Sequence, residues 1–219
     1  MTNEMLGRIE AHIKELNGNL THGKRVLLLS KIIAEKESIS YDEDVLVFAA
    51  YFHDVAAYPF YKDRFPGIFD HALESSKLIP ELAKDYGYND SQIKIIVEAT
   101  EYHDKVNMGS SNETRLIRNA DGVDYLGYMA VARDFTKFPG DFGKALATIK
   151  RRKEQFLPIV DLPYAIELAA SRVEECRQGR YDDPVRPLVK PFFFSGYADI
   201  SVAKFCMRTE ESDNLVVGE

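Results

Sequence analysis

Five short stretches of this chain carry side chains that bind metals or move protons. They are His22 in Thr-His-Gly-Lys-Arg-Val, the pair His53-Asp54 closing Ala-Tyr-Phe-His-Asp-Val, His71 in Asp-His-Ala-Leu-Glu-Ser, His103 in Glu-Tyr-His-Asp, and Asp121 in Arg-Asn-Ala-Asp-Gly-Val-Asp. Four of the five histidines fall in this set. The fifth, His12, lies beside an apolar helix stripe and reads as a partly exposed surface residue. Imidazole with carboxylate suits a divalent transition metal (Mn, Fe, Co, Ni or Zn), and the absence of thiolates argues against a structural zinc site. Such a metal supplies hydroxide near neutral pH and withdraws charge from a bound oxygen.

Each residue alone has a plainer explanation, so the set carries the argument. Asp121 shares a helix face with Leu116, Ile117 and Ala120 by i, i+3, i+4 spacing. A carboxylate on an apolar face is buried and needs a partner. Taken alone, it reads as a cap or as a salt bridge to Arg25 or Arg118. His53 and Asp54 would point about 100° apart in mid-helix. At a helix end the backbone can turn and let both reach one point. His22 and His71 fall in helix first turns, and His103 at a helix end. Arg25 is three residues after His22, Arg118 three before Asp121, and Lys105 two after His103. These are the cations with a chance of facing a phosphate.

Helices must position this set. Met5, Leu6, Ile9, Ile13 and Leu16 recur at helical spacing over about residues 3–16. A second helix runs from near Leu20 to Glu37. Ser40 with Glu43 makes a capping box for a third, which stops soon after His53-Asp54. Tyr58-Pro59 and Phe65-Pro66-Gly67 mark a loop. A fourth helix opens near Asp70 and ends at Gly87, with Pro80 suggesting a kink or an early break. A fifth begins at Asn89-Asp90 and ends about His103. A sixth starts near Asn112 and carries Leu116 to Leu126, and two more cover about 141–157 and 162–178. The run Lys150-Arg151-Arg152-Lys153 reads as a solvated helix face, with contact to a phosphate or an acidic neighbour the minority reading. Strand signals are weak throughout, so the fold class is all-α.

Residues 1–179 are expected to form one helical domain, with 180–219 an irregular C-terminal extension broken by Pro184, Pro187 and Pro191. Phe192-Phe193-Phe194 is too apolar for a free tail. It is expected to pack on the body or on a partner subunit, which admits a homodimer; the residues from about Glu210 are expected to be disordered. The net charge of −7 disfavours a nucleic-acid duplex or an anionic membrane surface as partner. It leaves room for a small anionic substrate, because a metal reverses the local sign. Cys176 and Cys206 make no metal-type pair and read as two reduced thiols in a cytoplasmic protein. No signal pattern opens the chain and no apolar run approaches a membrane span.

The order His, His-Asp, Asp on separate helices resembles the HD-domain superfamily of metal-dependent phosphohydrolases. The likeness runs from about His22 to Asp121 and loosely to Phe138, a motif core of residues 20–138. Thr-His-Gly-Lys-Arg-Val is similar to the family's His-x-x-Arg-Val opening, and Ala-Ala-Tyr-Phe-His-Asp-Val to its apolar run ending in His-Asp. Arg-Asn-Ala-Asp-Gly-Val-Asp-Tyr-Leu-Gly is similar to the Asp-Ala-Asp-x-Leu-Asp-x-Leu-Gly helix of small bacterial members, with Asn119 replacing the first aspartate. The resemblance implies a helical HD bundle in which His22, His53, Asp54 and Asp121 bind one divalent metal. His71 and His103 resemble the extra histidines of binuclear members, where the aspartate of the pair, here Asp54, bridges both ions. A second metal site and two histidines acting on the substrate remain equal alternatives. In the latter case His71 or His103 would protonate the leaving oxygen. The expected activity is hydrolysis of a nucleotide or other small phosphate ester or anhydride, with Arg25, Lys105 or Arg118 binding its phosphate. The alternatives are a binuclear-iron HD oxygenase cleaving C–C or C–P bonds and a non-catalytic nucleotide- or metal-binding regulatory domain.

Overall fold

The capping signals and apolar stripes resolve into ten α-helices among the described residues, 3–62 and 70–178 of this computed structural model, with no strand among them. In chain order they are α1 (Asn3–Glu15), α2 (Leu20–Glu37), α3 (Glu43–Phe52), α4 (Pro59–Lys62), α5 (His71–Asp85), α6 (Asp90–Tyr102), α7 (Asn112–Asp124), α8 (Tyr128–Lys137), α9 (Phe142–Phe156) and α10 (Pro163–Gln178). Single 3₁₀ turns lie at Val55–Ala57 and Leu157–Ile159.

Helix α3 is the hub. Its run Val45 to Phe52 is buried throughout, and a helix that is apolar all round must be covered on every side. Helices α1, α2, α5, α6 and α7 all contact it. Around the hub, α5 packs along α6 and α2 along α7 as the two most extensive pairs. Phe48 and Phe52 stack on each other and meet Tyr86 edge-on, which ties α3 to the end of α5. Helix α10 closes on α2 and α7 from the far side.

Local signals set the ends that matter for the site. Asn19 caps α2 by accepting from the His22 amide at 3.1 Å, so the cap itself fixes the first turn that carries His22. Asp70 caps α5 one residue before His71, accepting from the Leu73 amide. Asn89 and Gln92 form a reciprocal capping box at the start of α6.

One expectation is corrected, one alternative is decided and one helix is added. The cap of α3 is Asp42 rather than Ser40: its carboxylate accepts from the Asp44 and Val45 amides, and its own amide donates to Glu113 of α7. Helix α5 is not ended by Pro80 and runs on to Asp85. Helix α8 has no counterpart in the sequence reading. Gly127, at φ +84°, looks like a helix end, and Asp134 interrupts the stripe that Tyr128 and Val131 begin. The expectations for Phe65-Pro66-Gly67, for Pro184 to Phe194, for Cys206 and for the tail after Glu210 lie outside the described residues. Among the described residues no helix is long and apolar enough to cross a membrane.

Candidate metal centre

Two pairs of imidazoles meet at the C-terminal end of α3. The first pair exists because α2 and α3 pack very closely at Gly23. A Cβ there would lie 3.2 Å from the Tyr51 Cα and 3.3 Å from the Ala50 carbonyl oxygen. That approach sets His22 beside His53, with their Nε2 atoms 3.2 Å apart. The second pair joins the first residue of α5 to the last turn of α6, with His71 Nε2 and His103 Nε2 3.2 Å apart. Asp54 leaves α3 between the pairs, and Asp121 enters from α7, buried at 1% exposure.

The carboxylates divide the cluster into two lobes. Asp121 Oδ1 is 3.2 Å from His22 Nε2 and 3.7 Å from His53 Nε2. Asp54 Oδ2 faces the same two nitrogens at 3.7 and 3.6 Å. The other oxygen, Asp54 Oδ1, faces His71 Nε2 at 3.3 Å and His103 Nε2 at 3.4 Å. All six residues taken from the sequence as metal ligands thus converge.

The hydrogen bonding behind the rings decides what can fill this space. His53 Nδ1 donates to the Ala50 carbonyl at 3.0 Å and His103 Nδ1 to the Thr100 carbonyl at 2.7 Å. A carbonyl only accepts, so each Nδ1 carries the proton and each neutral ring turns a bare Nε2 lone pair inward. His22 Nδ1 donates to Asp124 Oδ2 at 2.9 Å, with the same consequence. Asp54 Oδ1 and Asp121 Oδ1 are buried without a hydrogen-bond partner. Lone pairs of nitrogen and oxygen therefore point at one another, and only protons or a cation can sit between them. The nitrogen and oxygen donors fit a divalent transition metal.

The electrostatics of the metal-free cluster agree. Burial pulls the His22 imidazole down, but Asp121 and Asp124 outweigh it and raise the group to about 9. Burial likewise opposes protonation of His103, yet Asp54 lifts it to about 9. His71 is raised against its burial by the same carboxylate. Burial would push Asp54 and Asp121 up; the neighbouring imidazoles hold both well below the usual carboxylate range. Without metal the site stores protons, and a metal must displace them.

The cations expected to face a phosphate are arranged differently. Arg25 does not point into the cluster: its Nε and Nη2 fork onto Asp124 at 2.7 and 2.8 Å, in a fully buried pair. Arg118 bonds the Met108 carbonyl and Asp161, again internally. A buried guanidinium needs a counter-charge within the protein, and each finds one. Asp121 bonds neither arginine. Lys105 pairs with Asp70 at 2.7 Å and Asp104 at 3.2 Å, at the partly exposed edge next to His71. In the basic run of α9, Arg152 turns inward to Asp134 at 2.8 Å, so the minority reading holds for that residue.

Three contributors were missed. Asp124 orients His22 and neutralises Arg25; its spacing, three after Asp121, was the available signal. Asp104 lies 3.9 Å from His71 Nε2 and repeats the His-Asp dipeptide directly after His103. Tyr125 meets the His22 ring edge-on at 5.8 Å; nothing in its local sequence marks it.

The fold and this His/Asp centre define a class, an α-helical bundle with a metal-ligand cluster at its hub, and comparison supplies the family. The HD domain family model matches residues 19–126. Residues 19–126 of the chain thus carry the HD domain match. Its structure is similar to that of a predicted HD superfamily hydrolase from an uncultured Thermotogales bacterium, with TM-score 0.56, 20% identity, and coverage of 86% of this chain and 91% of that one. It is also similar to Bacillus subtilis YpgQ, with TM-score 0.61, 20% identity, and coverage of 86% and 96%. The complex of YpgQ with ADP gives TM-score 0.57 at 22% identity, covering 85% and 97%. At these identities the likeness establishes the fold. A search of curated proteins gives no match.

Proposed function

We propose that the protein is a metal-dependent phosphohydrolase whose His/Asp centre would hold two divalent ions, with Asp54 serving both. The observation that carries this reading is the division of the Asp54 carboxylate, one oxygen toward His22 and His53 and the other toward His71 and His103. His22, His53 and Asp121 would complete one ion's protein ligands, and His71 and His103 the other's. Bound metal would supply a water acidic enough to attack at neutral pH and would neutralise phosphoryl oxygens.

The residues have distinct tasks in this account. Asp124, Ala50 and Thr100 hold three imidazoles in the tautomer that presents Nε2. Asp54 and His71 have side chains 15% and 35% exposed, whereas those of His53, His103 and Asp121 are closed off. Substrate would therefore approach on the Asp54–His71 side. Lys105, beside His71, is the one cation of the three first considered that could meet a phosphate at that edge. A similar fold, YpgQ, has a structure in complex with ADP; this supports a nucleotide-sized phosphorylated substrate here.

The test is phosphate release from a panel of nucleoside mono-, di- and triphosphates and simple phosphomonoesters, with Mn, Fe, Co, Ni or Zn supplied in turn. Metal-dependent release abolished by Asp54→Ala is the expected result. Stoichiometric iron with oxygen-dependent turnover and no phosphate release from any substrate would overturn it in favour of oxidative chemistry.

A further inference from the structure

Next to the centre, two largely buried arginines have donors left over from their ion pairs among the described residues. Arg133 of α8 and Arg152 of α9 both lie over the Tyr125 ring, with guanidinium carbons 4.2 and 5.0 Å from its centroid. Phe156 stacks parallel on the same ring at 4.1 Å and holds it in place. Tyr125 in turn touches the His22 ring, and the charges of Asp54 and Asp121 both reach its hydroxyl. The arginines thus stand against the wall of the metal centre.

Their partners are incomplete. Arg133 Nε and Nη2 are buried without a hydrogen-bond partner, and its Nη1 comes only within 3.9 Å of Asp124 Oδ2. That oxygen already serves His22 and Arg25. Among the described residues Arg152 pairs with Asp134, and Arg133 is near enough to disfavour its charge. Arg133 shares Asp124 with Arg25. Burial also pushes the Asp134 carboxyl up, which weakens the negative side further. Unmatched buried donors on a cation are costly. They are the usual equipment for gripping a phosphate, which a guanidinium meets with two parallel N–H bonds.

We propose that Arg133 and Arg152, set on the Tyr125–Phe156 platform, form an anion subsite for a second phosphate group of the substrate. This rests on the phosphohydrolase reading and narrows it. The reacting phosphate lies at the His/Asp centre, and a non-reacting phosphate lies against the arginines. The substrate class is then a phosphoanhydride or another compound with two linked phosphates, rather than a simple monoester.

The test uses the full chain loaded with metal, titrated calorimetrically with magnesium pyrophosphate and with magnesium phosphate in excess magnesium, which prevents stripping of the centre. Wild-type protein is expected to bind pyrophosphate at least about tenfold more tightly than phosphate, since one charged bidentate contact is worth about a factor of ten or more. Arg133→Gln and the charge-matched pair Arg152→Gln with Asp134→Asn should bring the two ligands within about twofold of each other. Metal content and melting temperature are expected to stay unchanged. Arg133→Lys should recover part of the preference, and it also keeps the test valid if the glutamine variant folds poorly. Unchanged pyrophosphate preference in metal-loaded variants, or equal binding of both ligands by wild type, overturns the subsite alone. A wild-type protein that holds its metals and binds neither ligand overturns the phosphohydrolase reading as well.

Discussion

Replacing Asp124 by Asn tests the support behind the centre without touching a ligand. Asp124 is fully buried; it accepts two bonds from Arg25 and one from His22. Arginine holds it far below the usual carboxylate range against the upward push of burial. Asparagine keeps one acceptor oxygen and adds an NH₂ group that meets N–H donors. With its oxygen in the Oδ2 place it can keep two of the three bonds, from His22 and Arg25 Nη2, while its NH₂ group meets Arg25 Nε and Arg25 loses its counter-charge. Breaking a buried pair from one side costs about 3–5 kcal/mol, and the two retained bonds place this case near the lower end, about 3 kcal/mol. Metal affinity should fall by about 10- to 100-fold, the usual effect of removing the group that orients a ligand histidine. The assays are urea denaturation of metal-free protein and competition with a chromophoric chelator for the metal. Arg25→Gln should destabilise similarly, and the double variant should cost clearly less than the two singles together, because both act on one pair. A change under about 0.5 kcal/mol, within the range of ordinary surface substitutions, with unaltered metal affinity, would refute the reasoning.

Two further outcomes follow from the same geometry. His22 and His103 rise from an ordinary 6.5 to about 9 in metal-free protein, so the stability they contribute is complete below pH 6.5 and is lost as pH climbs through 9. Metal needs the same nitrogens unprotonated and binds more tightly over that interval; melting curves with and without chelator should separate increasingly from pH 6.5 to 9, and a constant or narrowing gap would contradict the cluster's electrostatics. Asn119→Asp, which restores the residue of the resembled motif, should destabilise by about 1–3 kcal/mol, since it removes the buried amide's donor and sets a buried carboxylate against the partly exposed Asp161 carboxylate. Here Asn119 donates to Asp161 Oδ1 at 2.8 Å while accepting from the Asp161 and Leu162 amides, and unaltered thermal stability would show that this amide is not required.

The convergence of the six candidate ligands was legible because these residues sit where sequence signals are strongest. Asn19 and Asp70 cap the helices that start at His22 and His71, and the buried run of α3 ends at His53-Asp54. The all-α class followed from the same stripes. Partner choice was less legible. Spacing placed Arg25 and Arg118 near the site, but spacing cannot say which carboxylate a guanidinium will find. Asp124 and Asp161 become their partners only when α2 meets α7 and the segment before α10 folds back onto Asn119. Helix α8 and the inward turn of Arg152 were hidden for a related reason. Each puts a charged residue on a buried face, and a pattern of apolar residues does not register it.

The central claim is that these six side chains hold metal, with Asp54 shared between two ions. Elemental analysis of protein purified without chelator or affinity metal, run beside Asp54→Ala, tests it most directly. The account predicts two equivalents of divalent transition metal per chain in the wild type and loss of both in the variant, with the helical circular-dichroism signal retained. A wild-type protein without bound metal, or an Asp54→Ala variant that keeps two equivalents, would contradict it.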